Sequence, residues 1–138
     1  MTRDVLMVDT NVFLRYLLQD IPDHAERSTR LLLKAQANEV ALYAPSSVFV
    51  ELSHYLNRTL RLPRERIAAA LLDVLGNPGI STDHPEALQQ AFRLWAREGP
   101  LSFPDCFHLT LTRQLGMTHI VTFDQKMNRY PGVERVEP

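Results

Sequence analysis

Four acids in this sequence have the types and surroundings to do chemistry: Asp9 in "VDTNVFL", Glu51 in "SSVFVELSHYL", Asp105 in "SFPDCFHLTLTRQLG" and Asp124 in "IVTFDQKM". Asp9 ends one apolar run and precedes another, and Glu51 is flanked by Val50 and Leu52. Both are expected to be at least partly buried, where an unpartnered carboxylate is costly. Asp105 follows Pro104, and proline favours the first helical position, so this acid belongs in the first turn of a helix, near free backbone N–H groups. Acids gathered in one crevice repel each other, and the repulsion is relieved by protonation, by Lys or Arg, or by a bound cation. Oxygen-only clusters suit Mg²⁺ or Mn²⁺, which keep waters and take phosphate oxygens as further ligands. Such a site lowers the pKa of water and offsets charge on phosphate oxygens, so it hydrolyses phosphodiesters without a nucleophilic side chain. Asp105 and Asp124, taken singly, also fit the plainer role of first-turn acids that cap helices.

The elements that must position these acids are legible from periodicity. Residues 5–8 read as a strand, and 11–18 as a helix that buries Val12, Phe13, Leu14, Leu17 and Leu18. Asp20 is expected to cap a second helix, opened by Pro22 and carrying Leu31, Leu32 and Ala35 inward. Residues 40–45 form a strand candidate, and "SSVFVELSHYLNRTL" reads as one helix whose row Ser47, Glu51, Tyr55 points across a crevice. A helix opening at Pro63 ends at "GNPG", 76–79, and "GIST" reads as a short strand. Helices over 85–97 and 104–115 lead to the strand "THIVTFD", a helical turn and a last strand, "VERV". Strands alternating with helices imply a mostly parallel sheet covered on both faces, an α/β fold. Ligands of such sheets bind beyond the carboxyl ends of the strands, where Asp9 and Asp124 fall. No repeat or Gly/Ser linker divides the chain, so residues 1–138 read as a single domain.

Composition narrows the function class. The chain has 138 residues, 45% apolar and 22% charged, with a formal net charge of −1, which excludes a generally basic nucleic-acid binder but leaves room for a local basic patch. Cys106 is the single cysteine, so no internal disulfide forms, and no signal-peptide pattern or long apolar run suggests a membrane; a cytoplasmic location is expected. Zinc is disfavoured, because Cys106 and His108 do not share a helical face and His24, His54, His84 and His119 lack paired spacing. G-x-S-x-G turns and Gly-rich phosphate loops are absent. Phe92 and Trp95 lie in a helix with Leu88 and are expected in the core rather than on a base-stacking platform. Arg58, Arg61, Arg64 and Arg66 form one basic cluster, and Lys126 and Arg129 a second; either fits phosphate contact or an ordinary solvated face.

The order and surroundings of the four acids resemble the PIN domain, and especially the VapC-type toxins of bacterial toxin–antitoxin pairs. The resemblance covers nearly the whole chain and rests on "VDTN", the spaced Glu51, the helix-start Asp105 and "TFD". It implies a three-layer α/β/α sandwich with a mostly parallel central sheet, and a ribonuclease whose metal ligands are Asp9, Glu51, Asp105 and Asp124. The ion would be Mg²⁺ or Mn²⁺, and Asn11 and Thr122 would orient carboxylates or water behind them. RNA cleavage leaving a 3′-hydroxyl, a homodimer and a cognate VapB-like antitoxin protein seated in the acidic crevice are further implications. The chain departs from the pattern at "FPDC", where relatives more often carry small residues, which bears on the exact start of that helix.

Two rival classes stand beside this reading. A phosphatase or receiver-like domain also places an Asp after its first strand, but a haloacid-dehalogenase-type enzyme needs a second acid at position 11, where this chain has Asn11. A catalytically idle module that only binds RNA or protein is the other; the presence of all four acids argues against it.

Overall fold

The computed structural model describes residues 4–138. The first apolar run becomes β1 (Val5–Met7), with Val5 opposite Ala41 and Met7 opposite Tyr43 of β2 (Ala41–Tyr43). β2 pairs in turn with β3 (Ile80–Ser81), and β4 (His119–Val121) pairs with β5 (Glu134–Val136). All these pairings are parallel, so each needs a crossover. Helices supply most of them. α1 (Thr10–Leu18) and α2 (Pro22–Gln36) join β1 to β2, and α3 (Ser46–His54) and α4 (Arg64–Leu75) join β2 to β3. α5 (Pro85–Arg97) and α6 (Phe103–Gln114) join β3 to β4, and a 3-10 turn, Gln125–Asn128, leads to β5. The chain has the α/β class expected from the alternation of strands and helices, in the α/β/α sandwich that the family resemblance implies.

In one respect the sheet differs from expectation. The strands fall into two ladders, β1-β2-β3 and β4-β5, rather than one continuous sheet. Each strand has two or three residues and so few backbone groups to pair, which leaves packing to the helices. Val5, Leu6 and Met7 of β1 stay exposed, as do Val121 and Phe123 at the end of β4.

The core is built where helix faces meet. Phe13, Phe49, Phe92 and Phe103 form a connected series of rings, with Phe92 stacked on Phe103 at 4.3 Å and Trp95 edge-on to Phe103 at 5.7 Å. Phe92 and Trp95 are therefore core residues, as their helical spacing indicates. Burying each such ring contributes about 1.5–3 kcal/mol.

Three local features were not evident from the pattern. The expected long helix from Ser46 changes at Tyr55 into a π-helical turn, Tyr55–Thr59, closed by the Leu60 N–H donating to the Tyr55 carbonyl at 3.1 Å. Asp20 does not cap α2, whose preceding residue is Ile21; its carboxylate instead pairs with Arg15 at 3.2 Å. In "GNPG", Asn77 donates to the Leu32 carbonyl and accepts from the Gly79 N–H, each at 3.0 Å. This turn presses Gly79 so close to α2 that a Cβ there would lie 2.2 Å from the Ala35 carbonyl oxygen. No helix among the described residues is long and apolar enough to cross a membrane.

Candidate active site

Asp9 lies two residues beyond β1 and immediately before α1, in extended conformation (φ −83°, ψ 161°). Its carbonyl accepts from the Val12 N–H at 3.2 Å, but its carboxylate caps nothing. Among the described residues that carboxylate has no hydrogen-bond partner, and it is exposed rather than partly buried as its apolar flanks suggested. The reason is that the chain turns there: Val8 is buried behind it and Phe13 and Leu14 turn inward one helical turn later.

Glu51 is likewise exposed, on the open row of α3 that runs Ser47, Glu51, Tyr55, while Val48, Phe49 and Leu52 face the core. Its Oε2 accepts from the Thr10 hydroxyl at 2.7 Å. Thr10 is the residue after Asp9, so this bond brings the first two acids together. The expected supporting residue in this motif was Asn11, which instead lines a groove between α1 and α2 with His24, Arg27 and Leu31. Thr10 was legible in "DTN" but not singled out, because only the helix geometry shows which of the two polar residues faces α3.

Asp105 and Asp124 are each held by contacts of their own. At the start of α6 the Ser102 hydroxyl accepts from the Asp105 N–H at 3.2 Å, and the Asp105 carboxylate accepts from the Ser102 N–H at 3.1 Å, a reciprocal capping box. The structural role open to this acid is thus real, and it occupies one carboxylate oxygen. Asp124 follows β4; its Oδ1 accepts from the Lys126 N–H at 3.0 Å and its Oδ2 lies 3.7 Å from the Lys126 ammonium. The Thr122 hydroxyl accepts from the Asp124 N–H at 3.0 Å and so sets the turn that presents the acid. Lys126 and Asp105 line one polar pocket, which links the two.

A fifth acid, Asp83, was missed from sequence. It follows β3 and accepts from the Ser46 N–H at 2.8 Å, the Ser46 hydroxyl at 2.6 Å and the Tyr43 hydroxyl at 3.2 Å. Burial raises its pKa, but the bonds from Ser46 and Tyr43 outweigh that and hold it below the ordinary 3.8. Burial, and then the Asp83 charge, push the Tyr43 phenol above its usual 10.0. Asp83 closes the start of α3 from across the ladder and so fixes the helix that carries Glu51. Cys106 is fully buried, which pushes its thiol up to about 12 despite Arg64 nearby. It stays protonated, unlike a reactive thiolate or zinc ligand.

The donor set can be tested against the divalent ion that the acids suggest. Every candidate ligand is a carboxylate oxygen, the chemistry of Mg²⁺ and Mn²⁺ sites. Among the described residues no three His, Cys, Asp or Glu side chains stand together around one point. Mg²⁺ does not require that, since it is commonly held by one or two carboxylates plus waters and substrate phosphates. Exposed Asp9 and Glu51 and half-buried Asp105 and Asp124 fit that style of binding.

The arginine cluster separates into different roles. Arg64 is not free for a ligand: its Nη1 points to the carbonyls of Leu101 at 2.6 Å, Glu98 at 3.1 Å and Trp95 at 3.4 Å. Its guanidinium also lies 5.2 Å from the Trp95 ring centre. It closes the end of α5 and holds the loop leading to Ser102 and Asp105. Arg58, Arg61 and Arg66 are exposed.

A "VapC ribonuclease" from Aquifex aeolicus is 22% identical over 133 residues, covering 96% of each chain. Residues 6–133 match the PIN domain, a span that contains all four acids, Thr10 and Thr122; the chain belongs to the PIN domain family.

Proposed function

We propose that this chain is a Mg²⁺- or Mn²⁺-dependent endoribonuclease, acting as the toxin of a toxin–antitoxin pair. The observation that carries the reading is the Thr10–Glu51 bond, which sets Glu51 beside the turn bearing Asp9, with Lys126 lying between Asp124 and the pocket of Asp105, in a PIN-domain chain. The name of the Aquifex relative supports ribonuclease over other nuclease or phosphatase chemistry. Asp9 is the acid most available to hold the ion, because no hydrogen bond among the described residues engages it. Glu51 would share it, held in one rotamer by Thr10. Asp124 and the remaining oxygen of Asp105 complete the donor set, with Thr122 behind Asp124. Asn11 would orient a carboxylate or water behind Asp9. When bound, the ion supplies Lewis-acid charge that lowers the pKa of water and offsets charge building on the phosphate oxygens.

The partners and setting follow the same reading: RNA as substrate, a VapB-like antitoxin that covers the acids, a homodimer, and the cytoplasm. The apolar side chains left exposed on β1 and β4 give a second copy or an antitoxin strand something to cover.

The test is RNA cleavage by the purified chain with EDTA, Mg²⁺ or Mn²⁺, beside an Asp9→Asn variant whose melting curve shows it folded. Cutting that needs the ion and is lost in the variant supports the reading. Cutting that survives both treatments, or no cutting by either protein, sinks it. Co-expression with the gene product encoded alongside, followed by light scattering, tests the antitoxin and the dimer.

A further inference from the structure

A polar pocket of about 260 Å³ opens beside Asp105. Its polar walls come from several parts of the chain. The end of α3 and the π-helical turn supply His54 and Arg58, the start of α6 supplies Ser102 and Asp105, and the turn after Asp124 supplies Lys126. His54, Arg58 and Lys126 are all exposed at the rim. Arg58 has no ion pair or hydrogen bond among the described residues. Trp95 forms part of the inner wall and is 2% exposed, yet its indole N–H has no hydrogen-bond partner. A buried donor without an acceptor costs roughly 1–3 kcal/mol, so a ligand that supplies an acceptor recovers that cost. The Arg64 guanidinium over the ring fixes the indole in place. The pocket thus combines a buried N–H donor, basic side chains at its mouth and one acid shared with the proposed metal site.

We infer that this pocket is a subsite for one phosphodiester group of an RNA strand, next to the phosphate being cut, with Arg58 and Lys126 binding its charge and the Trp95 indole N–H donating a hydrogen bond to one of its oxygens. The volume is below the ~300 Å³ at which small-molecule sites begin, which suits a single phosphate with part of its nucleotide rather than a larger ligand. Arg58 is placed there by the π-helical turn, which follows directly on the helix bearing Glu51, so strand path and acid row run along one surface. Of the basic cluster 58–66, this assigns phosphate contact to Arg58; Arg64 is spent on backbone carbonyls, and Arg66 lies outside the pocket. The inference rests on the ribonuclease reading for its substrate, but not for its test.

The sequence holds a single tryptophan, so the ¹⁵N-labelled full chain gives one indole N–H resonance, a direct report from the pocket. A single-stranded oligoribonucleotide is titrated in EDTA, where no cutting is required. The expected result is a shift of that resonance on binding. Arg58→Ala should weaken binding about tenfold and lower the slope of log K against log salt by about one, Arg58→Lys should restore most of the binding, and Arg66→Ala should change neither. With Mg²⁺ present, Arg58→Ala should raise KM and leave kcat within about twofold. RNA binding that leaves the indole resonance unmoved overturns the subsite, as does an Arg58→Ala variant no weaker than Arg66→Ala. If the chain cuts RNA under those conditions, the nuclease reading survives that loss. A resonance that moves in an Arg58-dependent way in a chain that cuts nothing upholds the subsite and removes the nuclease.

Discussion

Thr10 donates its hydroxyl hydrogen to Glu51 at 2.7 Å, joining the first turn of α1 to the exposed row of α3 across 41 residues of sequence. The bond is exposed, so its share of stability is small, but it removes rotamer freedom from a long acidic side chain whose position matters for any ion shared with Asp9. Thr10→Val should therefore lower metal-dependent RNA cleavage about tenfold or more while changing stability by less than about 1 kcal/mol. Thr10→Ser, which keeps the hydroxyl, should cut at close to the original rate. Cleavage assays beside melting curves for the two variants separate positioning from folding.

Arg64 provides the opposite case, a charged residue that serves the fold. Its contacts with the carbonyls of Trp95, Glu98 and Leu101 leave backbone acceptors without a partner when it is removed. Arg64→Ala should cost about 1.5–3 kcal/mol, and Arg64→Lys should recover only part of it, because a single ammonium lacks the planar spread of donors. Urea unfolding of the two variants measures this directly. A loss of RNA binding with unchanged stability would contradict the assignment.

For Asp83 the sign of the pH effect is fixed by the direction of its shift. Its folded-state pKa lies below the ordinary 3.8, so its contribution is present above that value and is lost as pH falls through the lower, folded value. Asp83→Asn should cost about 1 kcal/mol at neutral pH, the lower end for a charged acceptor because the site is only partly buried. The gap between the variant and the original should shrink as pH falls below about 4. Denaturant midpoints measured from pH 7 downward test it, and a constant gap would mean that Asp83 acts by shape alone.

Asp105 and Asp9 should part company when each is replaced. Asp105→Ala removes half of the capping box at α6 and should cost about 0.3–1.5 kcal/mol in addition to activity. Asp9→Asn should abolish cutting with a stability change within about 0.5 kcal/mol, since the carboxylate holds no part of the fold among the described residues. Calorimetry on both variants distinguishes them.

How far the sequence could be read follows from the range of each contact. The strands and helices come from local periodicity; Asp9, Asp105 and Asp124 stand out because each adjoins a change of pattern, and Glu51 because it interrupts the apolar run of a helix. Thr10 on Glu51, Ser46 on Asp83 and Arg64 on Leu101 span 41, 37 and 37 residues. No local pattern encodes such partners. The exposure of Asp9 and Glu51 was misjudged for a related reason: apolar neighbours in sequence turn inward around an acid at a strand end or on the outer row of a helix, and leave it facing water. The division of the strands into two ladders was equally hidden, because alternation specifies a parallel arrangement and not which strand edges pair.

The uneven embedding of the acids has a genetic consequence. On the toxin reading proposed above, the chain is under pressure to be silenced by point mutation, and the four positions are not equivalent targets. Loss of Asp105 also loosens the start of α6, so the silenced product tends toward degradation and leaves its partner unoccupied. Loss of Asp9 leaves a folded, inert protein that keeps every other surface. Such an allele would continue to titrate an antitoxin away from active copies, and so behave as a dominant trait rather than a simple null.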